Sequence, residues 1–142
     1  MASHHKFIDH TADIAVEITA DSFEELIQES LIAFNESVLD SVDKKSEEEL
    51  GIYLQDSSRE GLLVSFLNEI NYLLTVKRWI SKSIYEIVLK NEKNNYQLIY
   101  KIKGNRLTDD VDLKEEIKSV TYHQMNIKEM DGQYSTLIVF DI

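Results

Sequence analysis

Asp13-Ile14-Ala15-Val16-Glu17-Ile18-Thr19, followed at once by Asp21-Ser22-Phe23-Glu24-Glu25-Leu26-Ile27, contains a change of period that decides the fold class. In the first segment Ile14, Val16 and Ile18 alternate with Ala15 and Glu17, the period-2 pattern of a strand with one buried face. Ser22, with Glu25 three residues on, forms a capping box that satisfies orphan amide donors at a helix start. Phe23, Leu26, Ile27, Ser30, Leu31 and Phe34 then recur at helical spacing to about Asp40, which predicts an amphipathic helix lying on a sheet. Glu24, Glu25, Gln28, Glu29 and Asn35 fall on its outward, solvated face.

Downstream, Ser41–Glu49 is polar and reads as a loop, and Leu50, Ile52 and Leu54 alternate as a short strand. Ser57 to Glu60 offers a second capping box, leading into Leu62, Leu63, Phe66, Leu67 and Ile70 at spacings of three and four. Trp79–Lys90 and Tyr96–Lys103 form a predicted hairpin around Asn91–Asn95. Gly104–Glu116 is polar. Two last strands, Ile117–Ile127 and Gln133–Asp141, are joined by Met130-Asp131-Gly132, where Asp-Gly is a strong hairpin signal. Runs of strands interrupted by two helices predict an α+β, two-layer domain with a mixed or antiparallel sheet packed against two main helices. The 142 residues suit one domain, 1–142, with residues 1–5 expected outside the ordered fold and His4 and His5 assigned no function.

Lys and Arg number 15 against 26 Asp and Glu, a net charge of −11 that disfavours direct, tight RNA capture and suits cations or basic protein surfaces. No Cys is present, so thiolate metal sites and disulfides are excluded and any metal must take oxygen or imidazole ligands. No apolar run approaches a signal peptide or the roughly 20 residues of a membrane span, so a soluble, cytoplasmic location is expected.

Familiar enzyme signatures are missing. Asp109, Asp110 and Asp112 lack the Gly and closing Glu of an EF-hand and read as a solvated turn. Gly-rich phosphate loops, a Gly-x-Ser-x-Gly elbow and a His-Glu-x-x-His helix are absent. What remains is His10-Thr11-Ala12-Asp13, where a loop leads into the first strand, and Asp141 at the end of the apolar run Leu137-Ile138-Val139-Phe140. Should the terminal strand lie beside the first, Asp13, Asp141 and the carboxylate of Ile142 would form an oxygen cluster whose repulsion a divalent cation offsets. Such donors point to Ca²⁺ or Mg²⁺, with Mn²⁺ or Zn²⁺ if His10 contributes.

Phe7-Ile8-Asp9-His10-Thr11-Ala12-Asp13-Ile14, Ser22-Phe23-Glu24-Glu25-Leu26, Ile117-Lys118-Ser119-Val120-Thr121-Tyr122-His123 and Val139-Phe140-Asp141-Ile142 resemble archease sequence, in archease order. Ser119 stands where the family pattern has Ala, and the stretch from about Ser41 to Asn105 offers no residue-by-residue match. The resemblance implies a divalent metal, Ca²⁺ foremost, bound by Asp13 and Asp141 with help from the backbone or carboxylate of Ile142. It also implies a partner, an RtcB-type RNA ligase of tRNA splicing and RNA repair. The archease would be that ligase's accessory and not itself an enzyme, promoting its guanylylation with GTP and multiple turnover and meeting RNA only through it. His10, Lys118 and His123 are further candidates, Lys118 as a contact for nucleotide phosphate. Two other readings stand beside this one. One is a stand-alone metal-dependent phosphoester hydrolase with His10 as general base. The other is a chaperone-like adaptor whose metal is structural.

Overall fold

A computed structural model describes residues 3–8, 13–41, 48–121 and 125–142. The elements run β1 His4–Ile8, β2 Asp13–Ala20, α1 Phe23–Val38, β3 Glu48–Asp56, α2 Arg59–Thr75, β4 Trp79–Glu92, β5 Asn95–Arg106, β6 Ser119–Val120, β7 Lys128–Met130 and β8 Gln133–Asp141. The class is α+β as the pattern predicts, with every strand pair antiparallel. The strands are divided between two sheets, β1-β2-β8-β6 with β7 also on β8, and β3-β5-β4. Each helix touches strands of both sheets, so one core serves the whole domain. No helix among the described residues is long and apolar enough to cross a membrane.

The period switch at Ala20–Phe23 works as read. Val16, Ile18 and Ala20 are fully buried toward the helices, and Ser22 Oγ accepts from Glu25 N at 3.1 Å to start α1. On α2 the cap is Ser58, not Ser57: its Oγ accepts from Gly61 N at 2.9 Å, while the Asp56 carboxylate accepts from Ser58 N at 3.2 Å and fixes the choice. The β4–β5 hairpin turns on Lys93 and Asn94, with φ of 46° and 63°, and the β7–β8 hairpin on Asp131 and Gly132, with φ of 55° and 78°. Two consecutive positive φ values are what a tight hairpin turn requires, and Asn and Gly tolerate them best. Asp109 and Asp110 form an exposed turn, and the Thr108 side chain and local backbone hold the Asp110 carboxyl below its ordinary range.

On α1, Glu29 and Asn35, read onto the solvated face, are buried, Asn35 Nδ2 donating to Ser81 O at 2.8 Å, and two expectations about the strands are also corrected. The strand expected over Ile117–Ile127 is two short ones, β6 and β7, both pairing with β8, and Thr121 and residues 125–127 lie outside any ladder. The reason is capture by α2: Asn68 takes Val120 N at 2.9 Å and the Glu60 carboxylate takes Ile127 N at 3.0 Å, so helix side chains replace strand partners.

Of residues 1–5, expected outside the fold, His4 and His5 belong to the edge strand β1, which pairs with β2 from His4↔Thr19 to Ile8↔Ala15. His5 fastens it to α1, with Nδ1 2.5 Å from Glu29 and Nε2 2.8 Å from Glu36. Burial lowers the His5 pKa, but the hydrogen bonds and charges of the two glutamates outweigh it and the net direction is upward. A group whose folded pKa is raised contributes stability that is complete below its unfolded value, about 6.5, and is lost as pH rises through the folded value. Urea unfolding of wild type and His5→Asn should therefore differ by about 1 kcal/mol at pH 6 and converge by pH 9. A pH-independent gap would show that the imidazole acts only by packing.

Candidate metal centre

The central pairing of the larger sheet is β2 on β8, and its register sets Asp13 directly across from Asp141. On the other side of β8, Ser119 of β6 is opposite Asp141. The three residues form one row at a sheet end. Directly opposed side chains share a face and stand about 5 Å apart at Cβ. Because Ile14, Val16 and Ile18 face the helices, as do Ile138 and Phe140, the carboxylates lie on the far face. Both are partly exposed, and the next row on that face, Ala15 with Val139, is buried. The pair thus sits at a rim with water on one side and apolar wall on the other.

Ile142 packs its side chain against the core, which keeps its main-chain oxygens beside Asp141. Lys118 donates its backbone N–H to Asp141 O at 2.7 Å, while its side chain is exposed. The structure therefore brings Asp13, Asp141, Ile142 and Lys118 to one end of the sheet. His10 and His123 lie outside the described residues.

Two residues of this region escaped the sequence reading. Asn71 Nδ2 donates to Ile117 O at 2.7 Å, and Asn68 Nδ2 donates to Val120 O at 3.3 Å while its Oδ1 accepts from Val120 N. These amides hold the segment that carries Lys118 against α2. The available signal was two amide side chains one turn apart on the apolar face of a helix, where buried polar groups normally have partners.

Among the described residues no three His, Asp or Glu side chains converge as a metal cluster. The donor chemistry nevertheless suits a divalent cation: like charges directly opposite on a sheet repel, and hard carboxylate oxygens with main-chain oxygens are the ligands Ca²⁺ and Mg²⁺ take. Asp13 and Asp141 would hold it, with Ile142 completing the set. A separate cavity of about 630 Å³, lined by Leu39, Asp40, Asn105, Arg106 and Thr108 among others, contains none of these residues.

Comparison with known proteins gives a consistent result. Residues 5–142 match the model of the archease protein family. A curated relative, protein archease of Archaeoglobus fulgidus, is 30% identical over 138 residues, covering 97% of this chain and 98% of its own. The solution structure of protein 1598 of Methanobacterium thermoautotrophicum superposes with a TM-score of 0.82 at 22% identity, over 97% of this chain and 98% of that one. A crystal structure from Thermotoga maritima, described as an archease and possible chaperone, superposes at 0.60 with 27% identity, over 96% of each chain. With the match running through the β2 and β8 segments that face Asp13 with Asp141, the chain belongs to the archease family.

Proposed function

We propose that this archease is a cytoplasmic accessory protein of an RtcB-type RNA ligase, acting through a divalent cation at the Asp13–Asp141 rim. The observation that carries the reading is the register pairing of those two carboxylates at an exposed sheet end. The possible-chaperone description of the Thermotoga maritima relative supports a protein partner. Asp13 and Asp141 bind the ion, Ca²⁺ foremost, and the main chain or carboxylate of Ile142 completes its shell. When bound, the ion supplies a compact positive centre in an otherwise acidic surface. The acidic rim docks at the mouth of a basic active site, consistent with the net charge of −11. Lys118, its main chain fixed by Asp141, presents its ammonium for a nucleotide phosphate.

The role is assistance and not catalysis: the protein promotes guanylylation of the ligase by GTP and allows it to turn over repeatedly in tRNA splicing and RNA repair. The test is ligation with the ligase limiting. Product should exceed one equivalent per ligase only when this protein is present, and an unchanged yield would overturn the proposal. Phosphoester turnover by the purified protein with Ca²⁺, Mg²⁺ or Mn²⁺ would replace it with the hydrolase reading.

Chelation separates a functional ion from a structural one. The hydrophobic core lies on the opposite face of the sheet from the carboxylates. Removing the metal should therefore abolish stimulation while the melting temperature moves by no more than a few degrees, as read by a thermal scan. Melting of the domain on chelation would assign the ion to the fold.

A further inference from the structure

The outer face of the β3-β5-β4 sheet carries an apolar row that the fold leaves uncovered. The register places Tyr53, Ile99 and Val88 side by side across the three strands. They are exposed at 52%, 40% and 48%, on the face turned away from the core residues Leu98, Tyr100 and Ile102. A register shift between Ile84 and Glu86 leaves Tyr85 as the extra residue of β4, also turned out, with 39% of the residue exposed. Its hydroxyl is held by the Glu49 carboxylate of β3, and the Lys103 ammonium of β5 lies 5.0 Å from its ring centroid.

The charged side chains around this row are Glu49, Glu86 and Glu92 against Lys90, Lys101 and Lys103, so the face is neutral in a chain of net charge −11. The acidic excess therefore lies on the remaining surface, and two copies that approach each other by that surface repel. The neutral face is where they can meet. A basic partner is drawn to the acidic surfaces instead.

The arrangement of the charges is self-complementary. Sheets stack face to face about 10 Å apart with their strands nearly aligned, and two kinds of two-fold axis in the plane between them keep that alignment. An axis along β5 sets Lys101 over Lys101 and Lys103 over Lys103 of the second copy, which is unfavourable. An axis along the Tyr53–Ile99–Val88 row sets each of those side chains over its counterpart, Glu86 over Lys90, Lys101 over Gln97 and Lys103 over Asn95. No like charges then face one another. Glu86, already 3.5 Å from Lys101 of its own chain, comes between two lysines. Three strands about 4.8 Å apart and five outward rows about 6.8 Å apart make a patch roughly 30 Å long and 10–15 Å wide, too small for a permanent dimer and suited to a transient one. We propose that this face is the interface of a weak two-fold dimer of the chain, with the axis along the Tyr53–Ile99–Val88 row. The dimer goes beyond the accessory role, and the metal rim belongs to the other sheet.

The experiment is sedimentation velocity of the full chain, without metal or ligase, from about 10 µM to about 1 mM, with amide chemical shifts followed over the same dilution. The average mass should climb towards twice that of the monomer, and the shifts that move should be confined to β3, β4 and β5. Ile99→Lys, a change at an exposed side chain on the axis, brings like charges face to face and should weaken association at least about tenfold. Lys90→Glu and Glu86→Lys should each weaken it similarly, because each opposes like charges at both symmetry-related contacts. An equimolar mixture of those two variants should associate as wild type does, since both contacts of the mixed pair join Glu to Lys. A mixture that stays monomeric, or an Ile99→Lys protein that associates as wild type, would overturn the assignment. So would a wild-type chain that is monomeric at every concentration, which would give the face to a partner of another kind.

Discussion

Asp13→Ala and Asp141→Ala should each abolish stimulation of the ligase, by at least about tenfold in multiple-turnover yield, while the protein stays folded. The two carboxylates face one another across β2 and β8, so either change halves the side-chain oxygen set that an ion can find there. The backbone ladder between the strands does not depend on either side chain. In the absence of metal each substitution also removes a like-charge neighbour, which slightly favours the folded state. The melting temperature measured under chelation should therefore stay level or rise for Asp141→Ala and stay within a few degrees of wild type for Asp13→Ala. Asp13→Asn and Asp141→Asn extend the test: shape is kept, charge is lost, and function should fail as it does with Ala. Full stimulation by either Ala variant would remove the rim from the mechanism. Stimulation lost together with the far-ultraviolet dichroism would show that the residue serves the fold.

Much of this architecture is legible because it is periodic. The alternation in β2, the three-and-four spacing in both helices and the Asp131-Gly132 turn each follow from local chemistry and lie where the pattern puts them. The errors have a common physical origin in side chains reaching across from distant elements. No alternation marks His4–Ile8 as a strand, and its place depends on β2 and on glutamates of α1. The split of β6 from β7 depends on Asn68 and Glu60 of α2. The capping-box spacing to Glu60 favours Ser57 as the cap in sequence, and the Asp56 carboxylate, which accepts from Ser58 N, selects Ser58 instead. At the candidate site, residue types gave the donor chemistry but not the register. Asp13 and Asp141 are near opposite ends of the chain, and a one-residue slip would have placed one carboxylate on the core face and the other outside. Their opposition is a tertiary fact that the two end segments suggest only on the condition that the terminal strand lies beside the first, and the register supplies that condition.

Phe140→Ala should unfold the domain far more readily than any change at its neighbour Asp141. Phe140 is fully buried and meets the Phe34 ring of α1 edge-on, with centroids 5.9 Å apart and planes at 86°. It also lies in one row with Ile14 and Val120, so its ring joins β2, β8 and β6 to the helix. Truncation removes the buried ring, leaves a cavity that close-packed neighbours fill only in part, and costs about 3–5 kcal/mol. Against a total stability of about 5–15 kcal/mol this is a large share, equivalent to roughly 10 °C in melting temperature for a chain of this size. Urea denaturation of wild type, Phe140→Ala and Asp141→Ala measures it directly. Adjacent strand residues point to opposite faces, so position 140 should carry stability with little direct role at the rim, and position 141 the reverse. A loss below about 1 kcal/mol for Phe140→Ala, or a comparable loss for Asp141→Ala, would mean that β8 does not present these faces, and the opposition of Asp13 and Asp141 would fail with it.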